Sequence, residues 1–176
     1  MFTIMRQRGQ GWLACCLLLL LPTLAWAGPG DGIVGDWLVA SGDAVIRIAR
    51  NGDDYEGHIV WQLHDTYGPE DGPDLDGKVV TDRHNLDPAN RSRPLNGLRL
   101  IWDLAYDPEH QFWNGGRVYD ADNGHTFRCQ MWLLDPNHIK LRGYFGISLI
   151  GGTSIWSRVN KLPPDLPAAA SGPQSQ

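Results

Sequence analysis

The sequence predicts an all-β fold: an eight-stranded up-and-down antiparallel barrel, with one long loop carrying a short helical turn. Three observations lead there. Apolar and polar residues alternate over eight stretches, at about residues 33–41, 43–50, 54–63, 97–106, 111–120, 125–134, 138–146 and 152–160, the period-2 pattern of a half-buried strand. Tight-turn chemistry falls between them: Asn51-Gly52-Asp53, Asp122-Asn123-Gly124 and Asp135-Pro136-Asn137, where Gly and Asn tolerate positive φ and Pro fixes a bend. No segment sustains a helical period. Strands of this length joined by short turns make a meander, and eight of them suffice to close a barrel. A two-sheet sandwich is the competing arrangement.

The ends are read first. Arg6 and Arg8 precede a short apolar run from Trp12 to Leu21, Pro22 breaks it, and Ala25-Trp26-Ala27 is an A-x-A cleavage pattern. This is the layout of a secretory signal peptide, with cleavage expected after Ala27. The run is short for a membrane span. Cys15 lies before the leucines, where a lipid-bearing cysteine would follow them, so a lipoprotein signal is rejected. Cleavage would reduce 176 residues to 149 and the net charge from −5 to −7, leaving Cys129 as the one cysteine. Such a chain has no disulfide framework and depends on its core. Its acidity disfavours nucleic acid as a partner. Residues 28–161 are expected to form a single barrel domain, and the Pro/Ala/Ser-rich residues 162–176 a disordered tail.

Within the strands, Tyr55, Gly57, Ile59, Trp61 and Leu63 share one face of the third. Phe127, Cys129, Met131 and Leu133 do so in the sixth, and Ile139, Leu141, Gly143 and Phe145 in the seventh. The fifth holds Gly115-Gly116; adjacent glycines inside a strand predict a bulge, a sharp bend or a close backbone approach. Gly35-Asp36-Trp37 opens the first strand and Trp156-Ser157-Arg158 lies in the last. Closure makes these strands neighbours, so the Arg158 guanidinium can lie on Trp37 and donate to nearby carbonyls. Gly35, Trp37, Trp156 and Arg158 are therefore expected to close one end. A Gly-x-Trp start with a late Arg is similar to the lipocalin pattern.

Residues 64–94 form a 31-residue connection. A loop this long in a compact domain is functional or disordered. Asp87-Pro88 is a helix-start signal and predicts one helical turn. Arg91 and Arg93 either pair with Asp82 and Asp87 or present guanidinium forks to an anionic ligand.

Five blocks occur in order: Asp82 with Asn85, Arg91-Ser92-Arg93-Pro94-Leu95 with Gly97, Trp113-Asn114-Gly115-Gly116-Arg117-Val118-Tyr119-Asp120, Leu141-Arg142-Gly143-Tyr144-Phe145-Gly146, and Thr153 with Trp156-Ser157-Arg158. Together they resemble the bacterial exported family called domain of unknown function 2147, over about residues 33–160. The resemblance implies a Gram-negative periplasmic protein with a lipocalin-like, calycin-type barrel and no established activity. Three departures stand out: Leu86 where the family usually has Pro, Phe127 where it usually has Tyr, and a longer acidic stretch from Asp65 to Asp76.

Catalytic and metal signatures are weak. Gly146-Ile147-Ser148-Leu149-Ile150-Gly151 is one residue too long for a nucleophile elbow. The six histidines are scattered singly. Asp71, Asp74 and Asp76 lack the Gly and Glu of an EF-hand frame. Cys129 reads as a small apolar side chain. No catalytic residue, metal or cofactor is expected, and an enzyme using Asp82 or Asp120 beside an Arg is the least favoured reading. The favoured one is a binding module for a small hydrophobic or anionic amphipathic ligand, lined by Tyr55, Ile59, Trp61, Phe127, Met131 and Phe145. Its candidate ligand-binding residues are Trp61, Asp82, Asn85, Arg91, Arg93, Trp113, Tyr119, Arg142 and Tyr144. The alternative is a barrel filled by its own side chains, an envelope interaction or maintenance protein acting through the 64–94 loop.

Overall fold

The computed structural model describes residues 28–145 and 151–162; the expected signal segment, most of the Gly146–Gly151 stretch and nearly all of the expected tail lie outside them. The strands are β1 (Gly35–Leu38), β2 (Ala44–Asn51), β3 (Asp54–Gln62), β4 (Arg99–Asp107), β5 (Phe112–Asp120), β6 (His125–Asp135), β7 (His138–Tyr144) and β8 (Gly151–Val159). Each pairs antiparallel with the next, and β8 returns to β1, closing the barrel. The sandwich is thereby excluded. β1 is shorter than the alternation suggests. Residues Asp31–Ile33 form a 3-10 turn before it, and the Gly42 N–H bonds the Val39 carbonyl after it.

Register explains the double glycine. The β5–β6 pairing shifts between Trp113 and Gly116, with Gly115 at φ +75°. A side chain on Gly116 would strike Leu104 and Cys129 in the core. Both expectations, a bulge and a close approach, therefore hold at adjacent positions.

One half of the barrel is filled. Trp37, Ile46, Ile48, Tyr55, Ile101, Leu104, Trp113, Cys129, Met131 and Ile139 are buried in one cluster. Residues 28–34 cross beneath it as a floor. Ile33 is fully buried. The Trp37 indole donates to the Ile33 carbonyl at 2.8 Å and the Trp113 indole to Gly30 at 3.1 Å. The Tyr55 hydroxyl donates to Asp31 at 2.8 Å. Arg158 sits over the Trp37 ring, its Cζ 4.1 Å from the centroid, and donates to the carbonyls of Gly32, Val34 and Pro136 at 2.7–2.8 Å. Gly35 leaves room for that guanidinium, since a Cβ there would collide with Arg158 Nη1.

The connection between β3 and β4 folds on itself. A bridge between Thr66 and Val79 makes its first half a hairpin, and a bridge between Thr81 and Pro94 ties down its second. The helical turn expected at Asp87-Pro88 is a 3-10 turn, Pro88–Asn90, with the Asp87 side chain accepting the Ala89 N–H at 3.0 Å.

Candidate functional site

The end opposite the floor is open. There the β1–β2 turn, the 63–80 hairpin, the β5–β6 turn and the β7–β8 ends surround a cavity of about 1070 Å³. Its body is apolar: Ile59, Leu100, Val118, Phe127, Leu141 and Trp156. Register sets Val118 opposite Ile101 on one side and Phe127 on the other, and Leu141 opposite Met131. Gly143 and Gly152 pair with each other in β7 and β8 and bring no side chain to this space. A Cβ on Gly152 would meet nothing within 4 Å.

The rim is polar and rich in carboxylates. Asp43, Glu70, Asp71, Asp120 and Asp122 line it together with His64, and among the described residues no lysine or arginine lines the cavity. Desolvation, then the charges of Asp120 and Asp43, push the Asp122 carboxyl above its ordinary value, with His84 opposing them. The hairpin above is anchored through Tyr67, whose hydroxyl accepts the Thr81 N–H at 3.2 Å and donates to the Thr81 carbonyl at 3.3 Å. Arg83 covers the Tyr67 ring, its Cζ 5.2 Å from the centroid.

The second half of the loop lies against the outer wall, held by a buried carboxylate. Asp82 is fully buried. It accepts Tyr119 OH at 2.5 Å on one oxygen, and Asn85 Nδ2 at 2.7 Å and Arg93 Nε at 2.8 Å on the other. Asn85 Nδ2 also reaches the Tyr119 oxygen at 2.9 Å. No buried side-chain polar atom here lacks a partner, which is the condition for burying a charge. Desolvation, then donation to Asp82, pushes the Tyr119 phenol up to about 12. Arg91 Nε donates to the Asn85 carbonyl at 2.8 Å. His84 Nδ1 lies 2.6 Å from the Asp122 carbonyl, so it must carry the proton there. A cleft of about 800 Å³ runs beside this knot, bordered by Glu56, His58, Arg99 and Trp102.

The structure thus brings together Asp82, Asn85, Arg93 and Tyr119, with Arg91 alongside. It does not bring them to the cavity body. Tyr119 borders the cavity; Arg91, Arg93 and Arg142 do not line it, because the first two are spent within the loop and Arg142 reaches Thr153 across β7 and β8 at 3.2 Å. The expected anionic head therefore finds no arginine there. Trp113 is floor, and Tyr144 is buried away from the cavity lining. Of the six expected liners, Ile59, Phe127 and Phe145 line the cavity, while Tyr55 and Met131 belong to the filled half. Trp61 is turned away by a bulge: Ile46 pairs with Ile59 but Val45 with Trp61, so Val60 is the extra residue and the faces swap. Leu100, Val118, Leu141 and Tyr67 were not singled out as liners. Strand alternation marks Val118 and Leu141, and nothing local marks Leu100 or Tyr67.

Among the described residues no helix is long and apolar enough to cross a membrane. No curated protein matches the chain. Among solved structures it is similar to protein HP1028 from the human pathogen Helicobacter pylori, described as belonging to the lipocalin family. The two are 16% identical, with 72% of this chain and 82% of that one covered, at a TM-score of 0.58. The likeness establishes a lipocalin-like fold. The model of a family described as uncharacterized protein conserved in bacteria (DUF2147) matches residues 35–158. With the match spanning nearly the whole barrel, the chain belongs to that bacterial family, domain of unknown function 2147.

Proposed function

We propose that the protein is an exported binding module whose barrel cavity holds a small hydrophobic or amphipathic ligand. The observation that carries this is the half-filled barrel. The floor half is packed with Trp37, Tyr55, Trp113 and Met131, yet the mouth half keeps about 1070 Å³ behind apolar walls. Cavities of several hundred Å³ with apolar walls and few polar groups are the usual ground of small-molecule binding. A barrel that served only as a scaffold would gain from filling that space. The paired glycines 143 and 152 do the reverse.

The test is a fluorescence titration with N-phenyl-1-naphthylamine, a neutral apolar dye. Saturable enhancement near one dye per chain is expected. Gly152→Phe places a ring in the open space beside the glycine pair and should abolish the enhancement without unfolding the barrel. No enhancement by the unaltered protein would reject the reading, as would enhancement that survives Gly152→Phe. Export is tested separately. Expressed from residue 1 in a Gram-negative host, the protein should appear in the periplasmic fraction with Gly28 as its first residue.

A further inference from the structure

We infer that the cavity selects ligands with a cationic head, an ammonium or guanidinium group carried on an apolar body. The inference rests on the cavity reading and names its ligand class. Five carboxylates border the cavity, from three separate segments: Asp43 on the β1–β2 turn, Glu70 and Asp71 on the hairpin, and Asp120 at the end of β5 with Asp122 on the turn after it. Among the described residues no lysine or arginine lines the cavity with them, and His64 is the basic side chain there. Among the described residues none of the five forms an ion pair, whereas Asp31, Asp36, Glu56, Asp82 and Asp103 all pair with arginines.

The arginines that an anion would need are already committed: Arg93 to Asp82, Arg91 to the Asn85 carbonyl, and Arg158 to three carbonyls of the floor. At the mouth, the charges of Asp120 and Asp43 both act against the ionised Asp122 carboxyl, and a bound cation would relieve that repulsion. Among the described residues no three acidic, His or Cys side chains converge tightly enough to hold a metal ion. An organic cation is larger and needs no such convergence. Phe145, 74% exposed, and Tyr67 and Trp156 add aromatic surface beside the carboxylates. Aromatic faces attract ammonium groups. One-sign clefts also raise the local concentration and on-rate of the opposite charge.

The experiment displaces N-phenyl-1-naphthylamine from the full barrel with three decyl amphiphiles kept below their micelle-forming concentrations: decyltrimethylammonium, decyl glucoside and decyl sulfate. Far-UV circular dichroism follows the fold in each titration. The ammonium is expected to displace the dye at a concentration at least tenfold lower than the sulfate, with the glucoside between them. Added NaCl should narrow the gap, since exposed charges are screened. A double variant, D43N with D122N, should cut the preference of ammonium over sulfate to under threefold. Equal displacement by all three, or a preference for the sulfate, would overturn the cationic head while leaving the cavity reading standing. So would a preference that survives the double variant. Failure of the dye itself to bind the unaltered protein would remove the cavity reading, and this inference with it.

Discussion

At the closed end of the barrel a single guanidinium, Arg158, lies over Trp37 and donates to three backbone carbonyls. At the open end five carboxylates face a cavity that, among the described residues, no lysine or arginine lines. The first charge is consumed by the chain: it satisfies the carbonyls of Gly32 and Val34, which the 3-10 turn leaves open, and it covers an indole. The second set is held by neutral groups alone: Asp43 accepts the Ser41 hydroxyl, Asp71 the Gly68 N–H, and Asp120 the Asp122 N–H and the Asn123 amide. A guanidinium saturated by carbonyls contributes to folding, whereas a carboxylate with no cation beside it is open to one from outside. The two ends therefore divide stability from recognition along one barrel axis.

The sharpest way to break this comparison is Arg158→Ala. It removes three charge-assisted hydrogen bonds and the stacking on Trp37, and should cost about 3 kcal/mol. Urea unfolding checks it, read as a lower midpoint at unchanged slope. Arg158→Lys should recover only part, because an ammonium lacks the planar fork. A midpoint that does not move would mean the floor is held by Ile33 and the indoles alone.

The wall knot lies between the two extremes, and Tyr119→Phe probes it. The change takes the hydroxyl from a buried carboxylate oxygen, at a cost of about 1–2 kcal/mol. Limited proteolysis should show faster cleavage between residues 82 and 95, where the loop leans on that bond. The same phenol predicts alkaline behaviour. Its value in the fold is about 12, raised above the ordinary 10 by desolvation and by donation to Asp82. Its contribution is therefore complete below about pH 10 and lost as the pH rises through about 12. Tyr55, at about 12 through desolvation and its bond to Asp31, does the same at the floor. Thermal melts at pH 9 and pH 11 should show a smaller drop for Tyr119→Phe than for the unaltered protein. Equal drops would assign the alkaline loss to the floor alone.

The barrel was largely written in local pattern. Alternation marks all eight strands, and Trp37 with Arg158 marks the pair that closes them, because closure needs only the first and last strands to meet. The orientation of Trp61 was not legible, since one extra residue at Val60 reverses a face without disturbing the pattern. Asp82 and Asn85 were visible as a local motif, yet their partner Tyr119 lies 37 residues from Asp82 in sequence. The same distance effect hid the fate of the arginines. Whether Arg93 reaches a ligand or an aspartate depends on how a 31-residue loop folds, which no spacing within it states. The acidic mouth was the least legible feature. Of the acidic residues in the Asp65–Asp76 stretch only Glu70 and Asp71 reach the cavity, and the other three carboxylates come from the β1–β2 turn and from the end of β5 with its turn, which only barrel closure brings alongside.

The smallest expected effect carries the comparison furthest, because its sign is opposite to that at the floor. Asp122→Asn removes a charge that the fold disfavours: its carboxyl is held above its ordinary value by desolvation, then by Asp120 and Asp43. A carboxyl raised in the fold contributes fully at pH below its unfolded value of about 4 and less as the pH rises through its folded value. At neutral pH the aspartate is therefore a slight burden, and its removal should stabilise the protein by a few tenths of a kcal/mol after solvent screening. The gain should vanish near pH 3, where the native carboxyl is already neutral. Thermal melts at pH 3 and pH 7 on one protein preparation read both points. A loss of stability at pH 7 would show that Asp122 has a partner within the chain, and the division between the two ends would then fail at the residue where it is most exposed to test.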